Sequence, residues 1–301
     1  HMNRVRTTVH IGNAHQRGIT GRGIGIAIVD TGLSPHPDYR DRISGWYDAV
    51  NRQYFPYDDS GHGSHVAGIA AGDGHASHGL YTGIAPQAHL IGVKVLNRKG
   101  NGTIADIMSG LEWILHNQER LQIDIVNISI GANDNKEFTE KSDFVQKVNE
   151  LWDRGLIVTA AAGNKGPDRH TISAPGNSRK VITVGSLDSF PDKNHTSHSG
   201  VGPTLSCIKK PDVVAPGSRI ISCAGMQSVR TGHPYSTKSG TSMSTPIVTG
   251  AIALLLGCCP GLSPREVKTR LKNTSTDLHL PHEKQGWGFL NIQALLETVQ
   301  K

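Results

Sequence analysis

The feature that most constrains the fold of this chain is a series of apolar runs of strand length, at 24–29, 90–96, 123–128, 157–162 and 181–184, with helical patterns between them. Each run is close to continuously apolar, which is how a strand covered on both faces reads. Val213 and Val214 form a further short candidate. The segments 66–71, 104–116, 138–154 and 242–256 carry helical patterns. Such an alternation predicts an α/β fold with a mainly parallel central sheet and helices on both faces, and it sends catalytic groups to the carboxyl ends of the strands. No Pro/Ser-rich linker, charge block or internal repeat divides the 301 residues, so one large domain is expected.

Three places on this scaffold carry chemistry. Gly240-Thr241-Ser242-Met243-Ser244-Thr245-Pro246 runs straight into the apolar stretch 247–256. A serine in the first turn of a buried helix sits where backbone N–H groups and the helix dipole can stabilise an oxyanion, although Ser, Thr and Pro are also ordinary helix starters. The strand 24–29 ends in Asp30-Thr31-Gly32, which sets a carboxylate at a strand's carboxyl edge. Gly61-His62-Gly63-Ser64-His65 opens a small-residue helix with a histidine between two glycines. The set reads Asp, His, Ser in chain order. That order separates it from His, Asp, Ser and from Ser, Asp, His arrangements of the same three groups.

With Ile28-Val29-Asp30-Thr31-Gly32, Gly61-His62-Gly63-Ser64-His65-Val66-Ala67-Gly68, Val126-Asn127-Ile128-Ser129-Ile130-Gly131, Ala160-Ala161-Ala162-Gly163-Asn164 and Ser239-Gly240-Thr241-Ser242-Met243 all in order, the chain resembles the subtilisin family of serine proteases from about residue 21 to 296. Within it the likeness is greatest to the intracellular AprX-type branch, through Pro35-His36-Pro37-Asp38, 90–97, 180–185 and 210–217. The resemblance implies a three-layer subtilisin-like peptidase domain over 21–301. Residues 1–20 are then an N-terminal segment, in which His1-Met2 looks like an expression scar. It implies a serine endopeptidase acting through an acyl-enzyme, with Ser242 as nucleophile, His62 as general base and Asp30 orienting the imidazole. Asn164 matches the oxyanion-hole asparagine; taken alone it would equally suit a turn residue tolerating a left-handed backbone. His65 matches a structural position.

Substrate contacts follow from the same likeness. Gly100, Gly102, Ser129, Ile130 and Gly131 match strands that sandwich an extended peptide. Ile104, Ile107 and Ile130 would line an apolar subsite, or serve equally as helix-face core. The pocket for the side chain before the cut is drawn from Ser129 to Gly131 and Ala161, Ala162 and Gly163, with Ser173 and Ala174 near its base and Lys165 at its mouth. No carboxylate is matched to its bottom, so large apolar side chains are expected there. A polypeptide substrate is implied, and a propeptide or protein inhibitor as a further partner.

Other classes are set aside. The net charge of +6 is scattered without a stacking platform, so no nucleic acid is expected. The longest apolar runs are read as too short for a membrane span. Cys258 and Cys259 are adjacent, with Cα atoms about 3.8 Å apart against a disulfide span starting near 4.4 Å, so they cannot be expected to pair. Reduced cysteines favour a cytoplasmic setting, the alternative being a secreted mature form. The spacings His62/His65, His75/His78 and His195/His198 suit zinc on paper, but there is no His-Glu-x-x-His, so no metal or cofactor is expected in catalysis. Asp38 matches the carboxylate of the family's structural calcium site, yet 72–81 lacks the Asn-rich ligand pattern, so a structural calcium stays open and calcium dependence is in doubt. Two departures stand out: His198 in place of a frequent Phe, and Ser244 in place of the usual Ala.

Overall fold

The structure, a computed structural model, describes residues 2–131, 138–187 and 198–297. In chain order its elements are α1 (Met2–Thr8), β1 (Gly25–Asp30), β2 (Ile43–Asp48), α2 (His62–Ala71), β3 (His89–Lys94), α3 (Ile104–Asn117), β4 (Ile123–Ile128), α4 (Asp143–Asp153) and β5 (Ile157–Ala161). Then come β6 (Ile182–Ser186), β7 (Val213–Ala215), β8 (Ile220–Cys223), α5 (Met226–Arg230), β9 (Tyr235–Lys238), α6 (Thr241–Cys258), α7 (Pro264–Thr274), α8 (His282–Gln285) and α9 (Ile292–Glu297). Seven strands form one sheet in the order β2-β3-β1-β4-β5-β6-β7, and every neighbouring pair is parallel. β8 and β9 make a separate antiparallel pair.

The two-residue period of a strand explains how one sheet feeds two cores. In β1, Ile26 and Ile28 point to the face covered by α2 and α6, where they join Val66, Ile69, Ile247 and Leu254. Ala27 and Val29 point to the opposite face, with Leu111 and Ile114 of α3 and Val145 and Val148 of α4. Each fully buried aliphatic side chain contributes about 1.5–3 kcal/mol. Because β1 pairs with β3 on one side and β4 on the other, the chain reverses its winding there. The crevice beyond the carboxyl ends of β1 and β4 is where an open parallel sheet offers a ligand site.

Several expectations need correcting. β2 carries no apolar run; it is a half-exposed edge strand, and its Ser44-Gly45-Trp46-Tyr47 stretch gave no strand signal. β8 and β9 were not foreseen either. The helix expected from 138 starts at Asp143. α7 is entered through a capping box, in which the Ser263 side chain accepts from the Glu266 N–H and the Glu266 carboxylate accepts from the Ser263 N–H. At 18 residues α6 is long and apolar enough to cross a membrane by length and composition, contrary to the sequence reading, but it is buried in the protein core. The boundary at 20/21 divides no cores. Met2, Val5, Val9, Ile11 and Ala14 belong to the same core as α2 and α6, and Ile292 N–H donates to the Val9 carbonyl.

Candidate active site

Asp30 closes β1, and its buried carboxylate lies at the sheet's carboxyl edge. Its Oδ1 accepts from the Thr31 N–H at 2.7 Å and from His62 Nδ1 at 2.7 Å. His62 is the first residue of α2, and Asp58 fixes that helix start. Asp58 Oδ1 accepts from Ser60 N–H, Gly61 N–H and the Thr31 hydroxyl, while Oδ2 accepts from the Ser64 N–H and hydroxyl. A carboxylate at a helix N-terminus also meets the positive end of the dipole. Thr31 Oγ1 in turn accepts from the Gly63 N–H at 3.0 Å. From the other side buried Lys94 donates to the Thr31 and Leu96 carbonyls and to Asp59 Oδ1, at 2.6, 3.0 and 2.7 Å. Its ammonium lies 4.9 Å from the centre of the Tyr57 ring. The end of β1 and the start of α2 are thereby tied into one unit, and the His62 imidazole is aimed by it.

Burial opposes a charge on His62, but the Asp30 carboxylate, through its charge and its hydrogen bond, outweighs that, and the pKa is raised above the ordinary histidine value. His65 behaves in the opposite way. Burial, then Lys238 and His62, push its pKa down to about 3, and its Nε2 is bonded to the Ile220 and Ser236 carbonyls. It is a neutral packing histidine that ties α2 to the β8–β9 pair.

Ser242 stands in the first turn of α6, where N–H groups have no intrahelical acceptor. Its hydroxyl donates to the Ser129 carbonyl at 2.8 Å and is therefore turned to the end of β4 rather than to His62. Asn164 Oδ1 accepts from the Thr241 N–H at 2.9 Å and from its hydroxyl at 3.2 Å, which fixes the orientation of the amide and leaves its NH₂ as a donor beside the helix start. Gly240 makes the approach possible: its φ of +133° suits glycine, and a Cβ there would stand 3.2 Å from Asn164 Nδ2.

The expected substrate-side residues divide. Ser129 is buried, and its hydroxyl accepts from Asn127 Nδ2, whose Oδ1 is held by Thr249 of α6. Ala162, Gly163 and Ser173 are packed together; a Cβ at Gly163 would collide with the Ser173 hydroxyl, and one at Gly131 would lie 3.0 Å from Ser173 Cβ. Ile107 goes to the core with Leu111, because it sits on the inner face of α3. Ile104 is 37 % exposed, and Ile130 is half-buried. Gly100, Gly102 and Lys165 are exposed. The segments 100–102 and 129–131 are not strands, as the likeness implied, but irregular chain outside the sheet's ladders.

The departures have physical accounts. The Ser244 hydroxyl lies 3.1 and 3.0 Å from the Ala215 and Pro216 carbonyls, so a hydroxyl is satisfied where an alanine would leave those acceptors without it. His198 is exposed, which suits its polarity. His62 and His65 share no ion, being committed to Asp30 and to two carbonyls, and His75 and His78 are exposed. His195 lies outside the described residues. Beside the Asp38 carboxylate stand a His36 nitrogen and the Cys223 sulfur, which are not among the six to eight oxygens that a hard cation such as calcium takes. Asp38 Oδ1 accepts from the Ala76 N–H, and Oδ2 from the Tyr235 hydroxyl and the Cys223 thiol. Asp58, Thr31, Lys94 and Asp59 went unassigned by the sequence reading. An acidic pair just before a helix was the available signal for the first and last of them.

The sequence pattern of the subtilase family matches residues 21–288. The chain is similar to serine protease AprX of Bacillus subtilis (strain 168), 48 % identical over 272 residues, covering 85 % of this chain and 62 % of that protein. It is also similar to subtilisin Savinase of Lederbergia lenta, 37 % identical over 281 residues and 93 % of both chains. Among solved structures, that of a cold adapted subtilisin-like serine proteinase superposes with a TM-score of 0.73 at 28 % identity, covering 90 % of this chain and 89 % of that one.

Proposed function

This chain belongs to the subtilase family, and from that membership we propose that it is a serine endopeptidase hydrolysing polypeptides through an acyl-enzyme, with a preference for large apolar side chains before the cut. The observation that carries the reading is the 2.7 Å bond from His62 Nδ1 to buried Asp30 at the end of β1, with the Ser242 hydroxyl bonded to Ser129 just past the end of the neighbouring strand β4. In the proposed reaction Ser242 Oγ forms a bond to the scissile carbonyl carbon as His62 Nε2 takes its proton. The tetrahedral oxyanion is held by Asn164 Nδ2 and the Ser242 N–H. The C–N bond then breaks as His62 returns the proton to the leaving amine, and water repeats the cycle on the ester. A substrate strand laid along 129–131 would compete for the Ser129 carbonyl and release the Ser242 hydroxyl toward His62. The backbone of 100–102 and 129–131 lies outside the sheet's ladders, which supports a peptide docking there by strand addition. Four cysteines without a disulfide support a reducing, cytoplasmic setting.

Two measurements test this reading. Peptides differing only at the residue before the cut are compared by kcat/KM, and Leu or Phe is expected to exceed Arg because a buried cation would find no carboxylate among the small pocket residues. Lys165 at the rim adds no more than about 1 kcal/mol against Arg, and this part weakens in high salt. A preference for Arg overturns the pocket assignment, and no cleavage of any peptide overturns the activity. The pH profile is the second measurement. His62 must be neutral to take the proton, and Asp30 holds its pKa up, so activity is lost as pH falls through a midpoint above the ordinary 6.5. A midpoint below 6.5 would remove His62 in its Asp30-bonded state as the base.

A further inference from the structure

The Pro35-His36-Pro37-Asp38 segment and β8 bring together a cluster that the proposed catalysis does not use. A His36 ring nitrogen, a carboxylate oxygen of Asp38 and Cys223 Sγ all lie within 4.8 Å of one another, and all three residues are buried. His36 Nδ1 stands 3.6 Å from Asp38 Oδ1, and Cys223 Sγ stands 3.6 Å from Asp38 Oδ2. Ligand atoms at tetrahedral zinc, with bonds of about 2.0–2.3 Å, are separated by roughly 3.3–3.8 Å, and the two distances, each made to a different Asp38 oxygen, fall in that range.

The imidazole is set up for coordination. Its Nε2 is bonded to the Pro234 carbonyl at 2.8 Å, which assigns the proton to that nitrogen; the Nδ1 lone pair accepts from the Asp38 N–H at 3.1 Å, a bond that coordination of an ion would replace. Metal-bound histidines are held in this way, by the far nitrogen donating to a carbonyl. Charge points the same way. Asp38 has no salt bridge to a Lys or Arg among the described residues, and the neighbouring Arg42 places its guanidinium on the Asp38, Ala71 and Ala88 backbone carbonyls. Buried carboxylates are normally paired with a cation or bound to a metal. One divalent ion with one carboxylate and one thiolate is neutral, as a dry interior requires.

We propose that His36, Asp38 and Cys223 form a binding site for a thiophilic divalent metal ion of the zinc class, with the Tyr235 hydroxyl, 2.8 Å from Asp38 Oδ2, beside the fourth position. Binding replaces the thiol S–H by an S–metal bond and releases that proton to solvent. The donor set is distinct from an oxygen cage for calcium, since two of its three ligands are nitrogen and sulfur. The site joins the 36–38 segment to β8, and β8 packs on α2 through the hydrogen bond from the Ser222 hydroxyl to the His65 carbonyl. A bound ion would therefore stiffen the support of the helix that begins at His62.

The test uses Co²⁺ as the probe on full-length Ser242→Ala protein that also carries Cys207→Ser, Cys258→Ser and Cys259→Ser, so that Cys223 is the remaining thiol. Because the site is buried, cobalt is added both to native protein and during refolding. The expected result is one equivalent of cobalt with a sulfur-to-cobalt charge-transfer band, one proton released from the thiol, displacement by zinc, and a raised Tm. Adding Cys223→Ser abolishes the band and the Tm rise, and His36→Gln weakens binding at least about tenfold. The Tm of each variant without metal reports whether it folds, and Asp38→Asn gives a second variant should Cys223→Ser fail to do so. Absence of cobalt binding under both loading conditions overturns the proposal. So does a band that survives Cys223→Ser, or a Tm rise with Ca²⁺ that is equal with and without Cys223, which would make the pocket an oxygen site.

Discussion

Ser242→Ala abolishes both peptide-bond cleavage and covalent capture by a fluorophosphonate, while the folded state survives. The loss in kcat is expected at about a millionfold, a size carried over from the nucleophile of subtilisin in the same family rather than derived from this geometry. The hydroxyl's one hydrogen bond in the structure is to the Ser129 carbonyl, so its removal costs about 1 kcal/mol of stability, or a few degrees in Tm. Activity and stability are thus separable at this position, and measuring both identifies a chemical role. Turnover within tenfold of the unmodified protein, or fluorophosphonate labelling of the variant, would place the nucleophile elsewhere.

Asn164→Ala lowers kcat by about a hundredfold to a thousandfold with little change in KM. The magnitude is again that of subtilisin's own oxyanion asparagine. What this structure adds is that the two ends of the amide have different work. Oδ1 is committed to the Thr241 N–H and hydroxyl, and only the NH₂ is left to face a reacting carbonyl. Alanine removes both, so part of the loss could come from a displaced start of α6. Asn164→Asp separates the effects: it keeps the acceptor for Thr241 and deletes the donor. If catalysis needs the donor, Asp fails as badly as Ala while its Tm stays closer to that of the parent. A rise in KM with unchanged kcat in both variants would reduce Asn164 to a residue that positions substrate.

Much of this arrangement was legible before any coordinates, and the reasons are local. Strands buried on both faces must be apolar throughout, so β1, β3, β4, β5 and β6 announced themselves, and Asp30 stood out because a carboxylate ends such a run. The edge strand β2 faces solvent on one side and pairs with β3 alone, so Trp46 and Tyr47 sit among Ser and Gly with no periodic signal. Asp58 was hidden differently. Its identity as a helix-capping carboxylate is readable, but its five donors come from Thr31, Ser60, Gly61 and Ser64, and that convergence exists only once β1 and α2 meet. The same holds for Cys223, which lies 185 residues from the Asp38 it touches. Spacing along the chain has no power over that distance. The isoleucines illustrate a true ambiguity, since helical spacing alone could not tell Ile107, turned inward, from Ile104, one turn earlier and open to solvent.

The position of α6 in the sheet has a consequence for the life of the chain. This helix packs across β1, β4, β5, β6 and β7, and it carries the serine at its head. Asp30 and His62 leave the ribosome early and Ser242 late, and the bed in which α6 lies is a parallel sheet whose strands pair over long stretches of sequence. Such sheets assemble slowly, because each pairing must close a long loop before it is rewarded. A growing chain therefore has the orienting carboxylate and the proposed base but no nucleophile, and even a chain extended past residue 258 has no assembled centre until five strands are docked beneath the helix. The proposed catalytic groups are thus brought together only at the end of folding, once the sheet beneath the helix is complete.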